Sequence, residues 1–312
     1  MEPDAQLTAL RPLGGFFALR TGEPPRGPLP TLAQAYAQEP SGHGADPLTV
    51  RVRRVADGIR APEPRVAASV AHQGLAARLW SVALGCAVRY GRLPDLAPDL
   101  LRWDPTGSAP DDLWLTEVRP LPAARPADGT AARTEPATLT APDPDTATDP
   151  EAATETLTHP EADPDPEPAQ EPATHREAAT APDTLTDPAT ATDALARAVL
   201  HAHLEPLAAA LRARYRLAPG LLRGNAASAL AAAARQVRGW ALRDGRPATG
   251  DLAHGLAVRL LAHPALAGAG TLGATGFRRR SCCLYYRVPG GGVCGDCCFS
   301  RAPAPSPRAA SG

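Results

Sequence analysis

The chain has 312 residues, of which 4% are aromatic, so leucine and alanine must supply most of any core. No run approaches about 18 uncharged apolar residues, which predicts no membrane span. The N-terminus lacks the basic and apolar pattern of a secretory signal, so we expect a cytoplasmic protein.

Charge is unevenly distributed along the chain. Residues 131–190 hold 14 acidic and 2 basic side chains, which leaves 19 acidic and 30 basic side chains elsewhere. A basic body attracts anionic partners, although the same arginines can equally form a solvated surface balanced by the acidic segment. No basic stripe with interleaved aromatics is present, so we expect no nucleic-acid partner.

Residues 1–121 read as the N-terminal helical part of the body. Leu75, Leu79, Val82 and Cys86 fall on one face of a helix over residues 65–90, which Pro64 begins and Gly91 ends, with a possible division at Gly74. The segment 113–118 is the most strand-like run.

Residues 122–192 form a different kind of sequence. They are rich in Ala, Thr, Pro and acidic residues and contain no aromatic side chain. Such a segment cannot bury enough apolar surface to offset its ordering entropy. We therefore predict a disordered insertion.

Residues 193–276 read as the C-terminal helical part of the body. We predict helices from an N-cap at Asp193 to about residue 215 with a break near Pro206, over 224–243, and from an N-cap at Asp251 to about residue 262. Residues 268–273 fit G-x-G-x-x-G, but a helix precedes them, so we interpret 268–276 as a connector. Residues 302–312 read as a disordered tail.

The chemistry is concentrated in residues 277–301. Five of the six cysteines lie between residues 282 and 298, whereas Cys86 reads as a small buried hydrophobe. Thiolates are soft ligands for zinc and for iron–sulfur clusters. In Cys294-Gly295-Asp296-Cys297, two intervening residues let both sulfurs reach one centre, and Cys282 and Cys283 supply two more.

Three interpretations of these cysteines stay open from spacing alone. Four thiolates suit a [2Fe–2S] cluster or a zinc ion, and disulfides are a third option. Adjacent cysteines rarely chelate one small ion, so the Cys282–Cys283 pair favours the larger cluster. The spacing differs from the usual ferredoxin patterns.

The segment Phe277 to Arg287, followed by Cys294-Gly295-Asp296-Cys297, resembles the C-terminal signature of FhuF-type ferric siderophore reductases. Weaker similarity extends to the helix around Trp80, to 101–103 and 113–115, and to Gly224-Asn225. The resemblance implies that Cys282, Cys283, Cys294 and Cys297 bind a [2Fe–2S] cluster, with Cys298 either a spare thiol or a competing ligand.

The resemblance also implies a mechanism. A reduced cluster would pass one electron to iron(III) in a ferric siderophore, for instance a hydroxamate chelate, and a separate electron-donor protein would supply that electron. The run Arg278–Arg280 would raise the potential, dock an anion or simply be solvated. Tyr285 and Tyr286 would shield the cluster or lie in the core.

We therefore expect a mainly α fold, α+β with minor strands: a helical body, a disordered insertion and a C-terminal iron–sulfur-binding loop. Two other functional classes stay open. One is a zinc-stapled interaction module, and the other is an electron carrier without its own chelate pocket. His201 and His203 fall on different helix faces and are not expected to be ligands.

Overall fold

The structure is a computed structural model that describes residues 3–24, 27–37, 46–120, 185 and 187–303. Of the predicted insertion, residues 122–184 and 186 lie outside the described residues, and the predicted tail does so from residue 304. Disorder to residue 192 is wrong, because residues 188–192 begin a helix that Asp187 caps. The described residues all belong to one compact unit, which joins the part of the chain before the insertion to the part after it.

Helices make up most of the described chain. They are α1 (Pro3–Thr8), α2 (Leu32–Tyr36), α3 (Pro47–Ile59), α4 (Pro64–Tyr90), α5 (Pro188–Leu195), α6 (Glu205–Tyr215), α7 (Pro219–Arg243) and α8 (Pro247–Ala262). The stretch Ala196–Leu204 is π-helical, and Arg11–Leu13, Gly15–Phe17 and Tyr285–Arg287 are short 3₁₀ turns.

The central helix is α4, and it confirms the helix predicted over residues 65–90. Pro64 occupies its first turn, where a missing N–H is tolerated, and Gly91 ends it in the left-handed region with φ of 60°. The predicted division at Gly74 is wrong. One glycine costs a helix only about 1 kcal/mol relative to alanine, and the buried residues on both sides outweigh that cost.

The core forms where α4 packs against α7, with α3 and α8 on their outer sides. The contact faces are rich in alanine and leucine. Trp80 and Trp103 are the largest fully buried side chains of the described core. Small side chains let α4 and α7 approach closely. The scarcity of aromatic residues is therefore compatible with a dense interior.

Two predicted N-caps are wrong, because both helices begin earlier. Asp187 caps α5 by accepting a hydrogen bond from the Thr190 amide at 2.8 Å, and Pro188 follows it, so Asp193 lies inside the helix. Helix α8 begins at Pro247, and Asp251 lies one turn further on. In both helices a proline at the first position marks the start more reliably than the later acid does.

The predicted break near Pro206 is a π-helical stretch instead. The Glu205 amide bonds back to the Leu200 carbonyl, five residues earlier, and Pro206 follows without an N–H of its own. The wider turn accommodates the missing donor, so the chain stays helical from residue 188 to 215.

Two small sheets complete the described part of the chain. Strands β1 (Arg20–Thr21), β3 (Leu113–Leu115) and β2 (Leu101–Trp103) lie in that order, with β1 parallel and β2 antiparallel to β3. The predicted strand over 113–118 is thus shorter than expected.

The predicted connector at 268–276 instead forms strand β4 (Gly270–Gly273) and the first residue of β5 (Gly276–Arg279), and the two strands pair as an antiparallel hairpin. Gly270 is required there, because a Cβ would collide with the Arg278 carbonyl and the Phe277 ring. The hairpin leads directly into the cysteines.

The architecture confirms a mainly α fold with few strands. None of the helices in the described ranges is both long and apolar enough to cross a bilayer.

Candidate metal centre

The segment after β5 folds into a loop, residues 282–298, that brings cysteines from its two ends together. Cys283 Sγ and Cys294 Sγ lie 3.5 Å apart. Leu284 adopts a left-handed conformation with φ of 69°, and Gly290 does so with φ of 71°. These two bends, with the 3₁₀ turn between them, return the chain on itself and so close the loop.

Backbone amides donate to two of the sulfurs. The Leu284 amide lies 3.2 Å from Cys282 Sγ, and the Phe299 amide lies 3.4 Å from Cys297 Sγ. Such N–H···S bonds stabilise thiolates and tune the potential of an iron–sulfur cluster. Within the described ranges, no three His, Cys, Asp or Glu side chains converge on a point that could hold a single metal ion.

The thiols repel one another electrostatically when ionised. The hydrogen bond between the two sulfurs lowers the pKa of Cys283 and raises that of Cys294, because the pair keeps one proton after losing the first. Burial, and then the charge on neighbouring thiols, raises the pKa of both Cys282 and Cys298. A cationic centre bound among them would remove this repulsion, so the donor set fits a metal cluster.

The first end of the loop is fixed to the helical body through α4 and α7. The Ser69 hydroxyl donates to the Cys283 carbonyl at 2.8 Å. The Asn225 amide group donates to the Ser69 carbonyl at 2.9 Å and to its hydroxyl at 3.1 Å. Both side chains are fully buried. The backbone of the cysteine pair therefore rests on a rigid polar contact.

The second end of the loop is held by Asp296. Its carbonyl accepts from the Arg279 amide at 2.9 Å, and its carboxylate accepts from the Ser228 hydroxyl at 2.6 Å and lies 3.8 Å from the Arg235 guanidinium. Because α7 carries Ser228 and Arg235 as well as Asn225, a single helix positions both pairs of cysteines.

Arg279 is a buried cation beside the loop. It is 2% exposed, and its guanidinium donates to the side chains of Asn225 and Gln73 and to the Leu221 carbonyl. Among the described residues it forms no ion pair, and its Nε has no hydrogen-bond partner. Its charge favours the thiolate forms of Cys283, Cys294 and Cys298, although the sulfur–sulfur hydrogen bond and burial keep the pKa of Cys294 raised, and burial and the neighbouring thiols do so for Cys298. A buried cation needs a nearby anion, which an anionic cluster would supply.

Gly224 makes room for this arrangement. A Cβ at this position of α7 would collide with Ser281 Oγ and press on the Arg279 guanidinium. Ser281 in turn donates to the Gly220 carbonyl at 2.7 Å. The Gly224-Asn225 pair that the sequence singled out therefore forms the seat on which the cysteine segment docks.

The charged and aromatic residues near the loop differ in how far they are exposed. Arg278 and Arg280 are exposed, as expected for a solvated run, but Arg279 is buried. Tyr285 is 39% exposed and Tyr286 is half-buried, edge-on to Phe299, so a place for both tyrosines in the core is wrong. Tyr285, Val293 and Phe299 are exposed apolar side chains of the same segment.

The structure also gives the surroundings of the other cysteine and of the two histidines considered from the sequence. Cys86 is 2% exposed, and burial raises its pKa to about 12, which confirms a buried hydrophobe. His203 bonds to the Tyr36 hydroxyl and the Leu96 carbonyl, while exposed His201 pairs with Glu205.

Sequence reasoning missed Ser69 and Gln73, since no local pattern links them to cysteines more than 200 residues later.

Residues 279–299 match the family model described as the FhuF 2Fe-2S C-terminal domain. A comparison with curated proteins finds no match. The matched range spans all five clustered cysteines and begins at the buried Arg279. Residues 279–299 are therefore similar to the FhuF 2Fe-2S C-terminal domain, and a [2Fe–2S] cluster is the cofactor of this segment.

Proposed function

We propose that the protein is a cytoplasmic ferric siderophore reductase in which Cys282, Cys283, Cys294 and Cys297 bind the [2Fe–2S] cluster. The observation that carries the proposal is the way the cysteine loop packs against the helical body. Cys283 is buried and the other four cysteines of the loop are half-buried, while Arg279, Ser69 of α4 and Asn225 of α7 hold the loop against the helical body. The site is thus rigid and yet open to a partner.

The choice of Cys297 over Cys298 follows the family spacing and is supported by one contact. The Phe299 amide donates to Cys297 Sγ. Cys298 makes a different contact, through its backbone: its carbonyl accepts a hydrogen bond from the Arg278 guanidinium at 3.3 Å. We infer that Cys298 is a neighbour of the cluster and not a ligand.

When bound, the cluster supplies one electron at a time, which is the stoichiometry needed to convert chelated iron(III) to iron(II). Siderophore oxygens are hard ligands that hold iron(III) far better than iron(II), so the reduced metal is released. The electron acceptor is iron(III), and a separate donor protein restores the electron lost in each turnover.

The residues of the chain contribute positioning and charge. The buried Arg279 guanidinium stabilises the additional negative charge of the reduced state, which raises the potential. Arg278, Arg280 and Arg301 are exposed, and so are the apolar side chains of Tyr285 and Phe299 in the same C-terminal segment. Exposed cations and apolar side chains in this segment suit the approach of an acidic donor protein and of a ferric chelate.

Single substitutions to serine test the ligand set and the activity together. We expect Cys282→Ser, Cys283→Ser, Cys294→Ser and Cys297→Ser to lose iron and acid-labile sulfide, and with them the formation of iron(II) trapped by a chromogenic chelator. Cys298→Ser is the matched control and should keep both.

Full cluster content in Cys297→Ser together with its loss in Cys298→Ser would reverse that assignment. A wild-type protein that holds its cluster but cannot reduce any ferric trihydroxamate would favour the electron-carrier function instead.

A further inference from the structure

A cavity of about 250 Å³ opens on the helical body and has no cysteine of the loop in its lining. It lies between α4, the π-helical stretch, α6, the start of α7 and the turn after α8. Its walls are apolar and include Leu200, Leu204, Ala208, Leu222, Ala226 and Leu266. Such a wall suits an aliphatic ligand, and the volume, just below the ~300–1,000 Å³ of typical small-molecule pockets, suits a small one.

His72 supplies an unusual polar group to this cavity. The side chain is 1% exposed, and its Nδ1 has no hydrogen-bond partner among the residues that the structure describes. Burial, together with the Arg279 charge, lowers the pKa of His72 to about 3, so the ring is neutral. A buried polar atom of this kind normally has a hydrogen-bond partner. A ligand hydroxyl suits either tautomer, because it can both donate and accept.

The mouth of the cavity is positive. Arg212 and Arg223 line it as exposed side chains, and neither forms an ion pair with another described residue. The acid on the same rim, Glu205, is paired with His201 at 3.1 Å. Two unpaired guanidinium groups favour a carboxylate, which each can bind through two parallel N–H···O bonds.

We propose that this cavity binds a small aliphatic hydroxycarboxylate, with its carboxylate at Arg212 and Arg223, its chain against the leucines and its hydroxyl at His72. None of the described residues that line the cavity belongs to the cysteine loop. Binding is therefore expected whether or not the chain reduces ferric chelates.

Calorimetric titration of the full-length, cluster-loaded protein with ω-hydroxyhexanoate and ω-hydroxybutanoate tests the proposal. We expect saturable binding of at least one of the two. Hexanoate, which lacks the hydroxyl, and the corresponding hexanediol, which lacks the charge, should each bind about tenfold more weakly.

Variants assign the contacts. Arg212→Gln and Arg223→Gln should each weaken binding about tenfold, since a charge-assisted bond is lost. Arg243→Gln, an exposed arginine near the other end of α7, is the matched control and should bind as the parent does. Ala226→Leu should block binding by filling the cavity, and His72→Phe should abolish the preference for the hydroxylated ligand over hexanoate.

Two outcomes would overturn the proposal. One is the absence of saturable binding of both hydroxycarboxylates. The other is binding that Arg212→Gln, Arg223→Gln and Ala226→Leu leave unchanged. Circular dichroism confirms that each variant is folded, and Arg212→Gln and Arg223→Gln keep the assay informative if His72→Phe does not fold.

Discussion

Ser69 and Cys283, 214 positions apart in the sequence, are joined by a hydrogen bond of 2.8 Å from the Ser69 hydroxyl to the Cys283 carbonyl. The bond links the second turn of the central helix α4 to the backbone of a cysteine in the cluster domain. Asn225 bonds to the same hydroxyl, so α4, α7 and the cysteine loop meet at one buried point. Cluster retention should therefore depend on residues that never contact the cluster.

Asn225→Ala should weaken the attachment of the loop. The change removes hydrogen bonds to Ser69 and leaves the buried Arg279 without its Asn225 partner. Loss of buried partners of this kind costs about 2–4 kcal/mol in the free energy of unfolding. Denaturant unfolding of the loaded protein measures this cost, and the cluster absorbance should decay faster in air.

Thr192→Val is a suitable control for Asn225→Ala, because it removes a hydrogen bond on an exposed helix surface. Equal losses in the two variants would mean that the buried contact has no special role.

Arg279→Gln should make the reduction potential more negative. A [2Fe–2S] cluster with four thiolates would gain a negative charge on reduction, and a buried cation beside the cysteine loop would favour that state. At an effective dielectric constant near 20 the effect is roughly 50–100 mV. A spectroscopic redox titration measures it.

Arg279→Lys keeps the charge and should retain most of the potential. Arg280→Gln, on the exposed neighbour, should shift the potential little, because solvent screens it. An unchanged potential in a cluster-loaded Arg279→Gln protein would contradict a role for the buried charge.

Gly224→Ala and Gly220→Ala form a matched pair on α7. A methyl group at 224 would collide with Ser281, whereas one at 220 would meet no atom within 4 Å. Gly224→Ala should destabilise the loaded protein by about 1–3 kcal/mol and slow cluster incorporation. Gly220→Ala should be neutral or slightly stabilising, because alanine favours helix. Thermal unfolding and iron content measure both, and similar behaviour of the two variants would rule out the steric explanation.

Acid should destabilise the fold through His203. Burial lowers the pKa of His203 to about 4, below its ordinary value of 6.5, so the folded state holds the ring neutral while the unfolded chain takes up a proton. The stability that depends on the neutral ring is fully present above pH 6.5. It is lost progressively as the pH falls toward 4, at roughly 1 kcal/mol per pH unit.

His203→Gln should reduce the slope of unfolding free energy against pH between 4 and 6.5 by roughly 1 kcal/mol per pH unit. The slope that remains includes the contribution of His72, whose pKa burial also lowers. His201→Gln, on the exposed surface, is the matched control. Denaturant unfolding at several pH values gives the slope. Parallel slopes for the wild-type protein and His203→Gln would refute the assignment.

The features that could be predicted from the sequence are those encoded by residues close together in the chain. The helix at 65–90 carries its own periodicity and its own end signals, and the cysteine spacing identifies the cluster domain without any knowledge of the fold. Helix starts were less accurate, because Asp187-Pro188 and Pro247 lay outside the expected boundaries.

What could not be predicted are contacts made across the chain. Nothing near Arg279 distinguishes it from Arg278 and Arg280, since its burial depends on Gly224 and Asn225 in a helix that precedes it by more than 50 residues. Ser69 is equally inconspicuous, because a serine in an alanine-rich helix is ordinary until the loop packs on it. The cysteine motif is thus readable from sequence, whereas the residues that support it can be identified only from the structure.

The most direct test of the proposed function is an anaerobic EPR titration. The protein is reduced with dithionite, freed of excess reductant and mixed with increasing amounts of a ferric trihydroxamate. We predict that a rhombic spin-half signal of the reduced [2Fe–2S] cluster disappears as one iron(II) ion forms per cluster, with an endpoint at one chelate per protein. A reduced signal that persists in excess ferric chelate, with no iron(II) formed, would contradict the assignment as a ferric siderophore reductase.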